Sequence, residues 1–155
     1  MIAFFAVVFA NRGLAQTTQT QSLLTSYYGI KDALINGDPT AALSAAEFFK
    51  TLGSMDTDSM SETVVNTFKA TRDKLAFDAK RLLESKDLSS QRGNFAVLSV
   101  NFYKLAKVIR LTNVPIYYFY CPMKDSYWLS NAAEVKNPYF GKQMLSCGTV
   151  KETIQ

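Results

Sequence analysis

The stretch DLSSQRGNFAVLSVNFYKLAKVI, residues 87–109, decides the fold class. Its large apolar residues recur at alternating spacings of three and four, which predicts one buried face of an α-helix packed in a bundle. These residues are Phe95, Leu98, Phe102, Leu105 and Ile109. Asp87 suits the N-cap of this helix, since its carboxylate can accept from free backbone N–H groups. We expect Phe102 to lie in the core and Asn101 to be an exposed polar neighbour.

Three earlier segments show the same helical periodicity. The positions expected to face the core are Leu23, Tyr27, Ile30 and Leu34 in the first, Ala42, Ala45, Ala46, Phe49 and Leu52 in the second, and Val64, Phe68, Leu75, Ala79 and Leu82 in the third. Asn36-Gly37 ends the first helix, and Asp38-Pro39 begins the second. The sequence therefore predicts an all-α fold, an antiparallel four-helix bundle followed by an irregular C-terminal Cys/Met segment with room for a short β-strand or hairpin.

Composition narrows the classes of function. The chain has 155 residues, 48% of them hydrophobic, which suits a single domain with a continuous core. Its net charge of +4 is scattered along the chain, so nucleic-acid binding has little support. There is no histidine, which excludes Ser-His-Asp and Cys-His nucleophiles and His-ligated zinc. Acidic residues such as Asp38 and Asp58 suit helix starts. We expect no enzyme activity and name no catalytic residue.

The N-terminus is typical of an exported protein. Residues 2–10, IAFFAVVFA, form an apolar run too short to span a bilayer. Small residues follow, and cleavage is expected after Ala15. We therefore predict a signal peptide at 1–15, a disordered polar tether at 16–22 and a single domain at 23–155. The mature protein is expected to be periplasmic or secreted, with no stable membrane span.

The segment 116–148, IYYFYCPMKDSYWLSNAAEVKNPYFGKQMLSCG, holds both cysteines and the only tryptophan. Cys121 and Met123 are two apart in a run that favours extended backbone, so they would share one face of a strand. Met144 and Cys147 are three apart, which suits one face of a helical turn. Four sulfurs that meet would select a soft ion such as Cu(I). A disulfide between Cys121 and Cys147, with the methionines as core filler, remains equally open.

The chain resembles a family of small secreted proteins of unknown function, which also occurs at the ends of adaptor, or membrane-fusion, subunits of heavy-metal efflux pumps. The residues that carry the resemblance are Tyr27, Tyr28, Ile30, Lys31, Ala33, Leu34, Gly37 and Asp38, then Gln91, Arg92, Phe95, Leu98 and Ser99, then Tyr118, Tyr120, Cys121, Pro122 and Met123, then Trp128, Leu129 and Ser130, and finally Asn137, Pro138, Tyr139, Phe140, Gly141, Met144, Cys147 and Gly148. The series WLS, NPYFG and ML-x-CG is specific.

A second resemblance concerns the metal. Tyr120-Cys121-Pro122-Met123 is similar to the Tyr-x-Cys-Pro-Met core of short heavy-metal-binding modules in copper and silver efflux systems. A histidine usually follows the methionine in those modules, whereas Lys124 stands here. Any transfer of metal binding to this chain therefore rests on sulfur donors without an imidazole.

These resemblances favour metal over disulfide and imply an exported protein that binds Cu(I) or Ag(I) and sequesters it or passes it to an efflux-pump adaptor. The implied ligands are two thiolates and two thioethers: Cys121, Cys147, Met123 and Met144. Three aromatic residues would form an apolar shell around the ion: Trp128, Tyr120 and Tyr139. The alternative function is an interaction module, held by a disulfide, that docks an efflux or envelope partner without binding metal.

Overall fold

The computed structural model describes residues 6–58 and 60–155, with side chains from residue 18 onward. Four α-helices come first, followed by three β-strands. The helices are α1 (Ala6–Asn36), α2 (Ala41–Ser54), α3 (Glu62–Leu83) and α4 (Leu88–Ala106); the strands are β1 (Ile116–Cys121), β2 (Ser126–Ser130) and β3 (Thr149–Ile154). A single 3₁₀ turn, Gly141–Gln143, lies between β2 and β3 in the described part of the chain.

The helix α4 forms as its sequence predicts. Asp87 is the N-cap, and its carboxylate accepts a hydrogen bond from the backbone N–H of Ser90 at 2.9 Å. This bond lowers the pKa of Asp87. Phe102 is fully buried and lies between two other rings, with centroids 4.9 Å from Tyr27 and 5.2 Å from Phe48. Four residues of the predicted apolar face are confirmed as buried in α4, namely Phe95, Leu98, Phe102 and Leu105, whereas Ile109 is buried beyond the end of the helix at Ala106.

The predicted buried face of α2 was partly wrong. Ala45 and Leu52 are buried as predicted, but the other buried residues are Ala41 and Phe48. Of the remaining predicted residues, Ala42 and Ala46 are half-buried and Phe49 is 42% exposed.

One assignment in α4 was also wrong. Asn101 was expected to be exposed but is buried, and its Nδ2 donates to the carboxylate of Asp78 on α3 at 2.6 Å. In both helices the position of the neighbouring helix decides which side chain is covered.

The predicted disordered tether at 16–22 is helical in the structure and continues α1. One of its polar side chains, that of Gln19, makes two hydrogen bonds there. Gln19 donates from Nε2 to the carbonyl of Ser54 and accepts at Oε1 from the backbone N–H of Asp56, both at 3.0 Å. Thr20 is buried. Of the predicted signal peptide, residues 1–5 lie outside the described residues, and cleavage after Ala15 stays a prediction.

The all-α prediction was too strong, because the C-terminal segment forms a three-stranded antiparallel sheet in the order β2-β1-β3. The expected hairpin is β1–β2, in which Cys121 pairs with Ser126 across a four-residue turn. The strand β3 was not predicted. Within the described residues, no helix is both long enough and apolar enough to cross a bilayer.

The sheet docks on the bundle along the outer edge of β2. The hydroxyl of Tyr27 on α1 accepts from the backbone N–H of Leu129 at 3.0 Å and shares a 2.7 Å hydrogen bond with Ser99 on α4. Two residues away along the same edge, the hydroxyl of Tyr139 donates to the carbonyl of Tyr127. An unpaired strand edge thus finds its partners in two buried tyrosines. Burial raises the pKa of both, so they stay neutral.

Candidate metal centre

The two cysteines meet at the end of the sheet. Their sulfur atoms are 3.4 Å apart and the thiols are free. Cys121 ends β1 and is fully buried, whereas Cys147 lies just before β3 and is half-buried. The sequence places these residues 26 positions apart. Their meeting is therefore a consequence of the tertiary fold, and it agrees with the predicted pair.

Asn137 fixes the loop that carries Cys147. Its side chain is fully buried and bridges two stretches of backbone. The Nδ2 group donates to the carbonyl of Cys147 at 2.6 Å, and Oδ1 accepts from the backbone N–H of Tyr139 at 2.7 Å. The backbone N–H of Asn137 also donates to the carbonyl of Leu145 at 2.8 Å. Asn137 thus fixes the backbone of this loop at Leu145 and at Cys147.

Arg92 ties the same loop to the bundle. Its Nε donates to the carbonyl of Pro138 and its Nη2 to the carbonyl of Leu34 at the end of α1, both at 3.0 Å. Gly141 permits this close approach, because a Cβ at its position would lie 2.7 Å from the carbonyl oxygen of Ile35 and 2.8 Å from Nη2 of Arg92. Its φ of +55° also favours glycine. The NPYFG motif is therefore a docking motif for this loop.

Trp128 packs against the loop that carries Cys147. It is fully buried, stacks on Phe119 at 5.0 Å and meets Tyr139 edge to face at 5.9 Å. Gly148 packs directly on it, since a Cβ there would lie 2.5 Å from Cη2 of the indole. The indole N–H is the one buried side-chain polar atom without a hydrogen-bond partner among the described residues. The residue after Cys147 must therefore be small for the loop to close.

The aromatic shell differs in one member from the expected one. Trp128 and Tyr139 are buried together, as predicted. Tyr120 is next to Cys121 on β1, so its side chain leaves the opposite face of the strand. There its ring lies tilted against that of Tyr127, with the two centroids 4.7 Å apart. Phe119, two residues before Cys121, takes its place beside Trp128. Alternation along the strand was the signal that identifies Phe119.

The methionines are placed less closely than the cysteines. Met123 was expected to continue the strand, but β1 ends at Cys121 and Met123 lies in the hairpin turn with 65% of its surface exposed. Its backbone N–H reaches Cys147 as a hydrogen-bond donor. Met144 is half-buried, and its carbonyl accepts from the backbone N–H of Cys147 at 3.1 Å, in a turn rather than a helix. Both methionines thus flank Cys147 through their main chains.

Hydrogen bonding between the thiols affects the protonation of Cys147. The contact with Cys121 raises the pKa of Cys147, burial adds to this effect, and the N–H of Met123 opposes it. A soft ion that binds here must displace protons, because the thiolate is the ligand. No cluster of three or more His, Cys, Asp or Glu side chains that could hold a metal occurs among the described residues. The candidate donor atoms at this site are the sulfurs of Cys121 and Cys147.

The fold and site define a helical bundle with a C-terminal sheet and a pair of adjacent thiols. The chain belongs to a family described as a protein of unknown function, DUF3347, whose sequence model matches residues 23–113. That range covers the bundle from within α1 to the residues after α4 and ends before β1, so the thiols lie beyond it. Comparisons with curated proteins and with solved structures gave no match.

Proposed function

We propose that this chain is an exported protein that binds one Cu(I) or Ag(I) ion between Cys121 and Cys147. It would sequester the ion or pass it to an adaptor subunit of a heavy-metal efflux pump. The observation that supports this function is the 3.4 Å separation of two free thiols, one at the end of β1 and the other on a loop held in place by Asn137. Thiolate and thioether donors select Cu(I) and related soft ions over Mg²⁺ or Ca²⁺.

The sulfur separation fits a bridging ion. A metal that lies about 2.3 Å from each sulfur, the usual Zn–S length, can bridge sulfurs separated by up to roughly 4.6 Å. The pair at 3.4 Å therefore needs to open by only roughly 1 Å even for a linear arrangement. Cys147 can supply this movement, because it precedes β3 in a half-buried turn while Cys121 is held in β1.

Met123 is the preferred third donor. It follows Cys121 by two residues, its main chain contacts Cys147, and its exposed thioether is free to turn toward the pair. Met144 is the second thioether beside Cys147. An exposed sulfur next to a partly buried pair also gives an incoming ion or an adaptor protein a first point of contact. This arrangement suits transfer of the ion as well as storage.

The test is a competition titration of the reduced protein against a Cu(I) chelator. Wild type should take up one Cu(I) per chain. Cys121→Ser and Cys147→Ser should each weaken binding by more than about tenfold, since loss of a group that only hydrogen-bonds to a metal ligand already costs that much. Met123→Leu should weaken it less, because the variant keeps the side-chain volume and removes only the thioether donor. Met60→Leu, a methionine before α3, is the matched control and should be silent.

The second candidate is an interaction module held by a disulfide, and the same 3.4 Å separation favours it. Closing a loop over 26 residues would stabilise the fold by about 3 to 4 kcal/mol in the chain-entropy model. In that case the methionine variants are silent, and loss of either cysteine lowers the stability of the metal-free, oxidised protein. No Cu(I) uptake by the reduced wild type would reject the metal proposal in favour of this one.

Export is a separate part of the proposal. A protein cleaved after Ala15 would keep Gln19 and Thr20, whose contacts with the segment after α2 and with the core lie beyond the cleavage point. The mature protein should therefore begin near Gln16 and retain the fold. N-terminal sequencing of protein from cells tests this, and a start at Met1 in the mature product would contradict it.

A further inference from the structure

The thiols differ in their access to solvent. Cys121 is fully buried at the end of β1, beneath the loop that carries its partner. Cys147 lies in that loop and is half-buried. Cys147 is therefore partly open to an external reagent, whereas Cys121 is covered. The two cysteines are equivalent in residue type but not in reactivity with an external reagent.

The backbone around Cys147 is held close to Cys121 independently of any bond between the sulfurs. The carbonyl of Cys147 accepts from Asn137, its N–H donates to Met144, and Gly148 packs on Trp128. A disulfide requires sulfurs about 2.05 Å apart, which is roughly 1.4 Å closer than in the free pair. The same scaffold can therefore hold the dithiol and the disulfide with a small change in side-chain position.

We infer that Cys121 and Cys147 form a reversible dithiol–disulfide couple in which Cys147 reacts with external disulfides, Cys121 resolves the product, and oxidation switches off metal binding. The last part rests on the proposed function, because a sulfur joined to its partner is no longer a thiolate donor. The chain would then accept a soft ion only when the pair is reduced.

The exchange uses a small-molecule or protein disulfide as oxidant. The Cys147 thiolate attacks one sulfur of the oxidant, forming a mixed disulfide and releasing the other sulfur as a thiolate. The Cys121 thiolate then attacks the sulfur of Cys147, the internal disulfide forms, and the second half of the oxidant leaves as a thiolate. The protein loses two protons and two electrons; the two halves of the oxidant gain the electrons and, as departing thiolates, take up the protons. An external dithiol reverses the reaction.

The reduced, metal-free protein is mixed with oxidised glutathione, the reaction is stopped with acid at successive times, and mass spectrometry identifies the products. Wild type should pass through a transient glutathione adduct and end with an internal disulfide. Cys121→Ser should stop at a stable adduct on Cys147, because the resolving thiol is absent. Cys147→Ser should react at least about tenfold more slowly, because its remaining thiol is buried. Equal adduct formation in the two variants, or wild type that keeps its adduct, would overturn the inference.

Two further measurements cover variants that fail to fold and separate this inference from the proposed function. Brief alkylation of the reduced wild type, followed by peptide mapping, should label Cys147 before Cys121; the reverse order rejects the assigned roles. Equilibration in glutathione buffers should populate both forms reversibly, whereas a pair oxidised under all conditions is a permanent staple and overturns the couple. Cu(I) should bind the reduced form alone. If oxidation is ordered and reversible but the reduced form binds no Cu(I), the proposed function and the switch are both rejected. If the reduced and oxidised forms bind Cu(I) equally, only the switch is rejected.

Discussion

Replacing Asn137 tests how the loop is held beside the thiols. Asn137→Ala removes both side-chain hydrogen bonds, leaving the carbonyl of Cys147 and the N–H of Tyr139 without their partner. The N–H of Tyr139 is buried and the carbonyl of Cys147 is partly buried. Each unsatisfied buried group costs about 1 to 3 kcal/mol, so the free energy of unfolding should fall by roughly 2 to 5 kcal/mol.

Urea denaturation of reduced, metal-free protein measures this change. The matched control is Asn131→Ala, an exposed asparagine in the same segment, which should remain within about 0.5 kcal/mol of wild type. Thiol reactivity adds a second readout, since Cys121 should become accessible to alkylation as the loop loosens. An Asn137→Ala variant as stable as the Asn131→Ala control would refute the claim that this side chain fixes the loop.

Two further predictions concern the bundle. Phe102→Ala should lower the free energy of unfolding by about 3 to 5 kcal/mol, because it opens a cavity in a fully buried site. Phe49→Ala, at an exposed site, should lower it much less. Equal midpoints of the two variants in denaturant would contradict the assigned faces. Burial raises the pKa of Asp78, so its folded-state pKa lies above the unfolded one and stability falls as pH rises through that window. Asp78→Asn should remove this fall and gain stability relative to wild type at about pH 7 but not at about pH 3; identical pH profiles would show that Asp78 is not responsible.

The helical part of the fold could be predicted because a helix that buries one face has apolar residues at spacings of three and four. The apolar stripe of α4 and its cap at Asp87 are local features, and both were found. Which residue lies at the margin of a face depends on neighbouring helices. The prediction therefore named Phe49 as the buried ring, whereas the buried ring is Phe48. The contact of Asn101 with Asp78 was missed for the same reason.

The helical structure of residues 16–22 was missed for a related reason. The run at 16–22 is polar and lacks periodicity, which in an isolated chain favours disorder. Its order comes from backbone groups of Ser54 and Asp56, which hydrogen-bond to Gln19. These partners are more than thirty positions away, so the local composition carries no sign of them.

The candidate site was predictable in its cysteines and less so in its geometry. The extended run before Cys121 and the sequence NPYFG…CG indicated where the two thiols lie. The sequence did not indicate where β1 ends, because the pairing of Cys121 with Ser126 determines that position. Met123 was therefore wrongly expected to continue the strand. The strand β3 was missed because its alternation is weak and its place beside β1 is set by non-local hydrogen bonds.

The proposed function requires that sulfur atoms of this chain, and no other donors, hold the soft ion. X-ray absorption at the copper edge, measured on reduced protein loaded with one Cu(I) per chain, identifies the atoms bound to the metal. We expect sulfur alone: two short contacts from Cys121 and Cys147, and a third from a thioether that disappears in Met123→Leu. Copper bound to nitrogen or oxygen, or coordination unchanged in Cys121→Ser, would contradict the proposal.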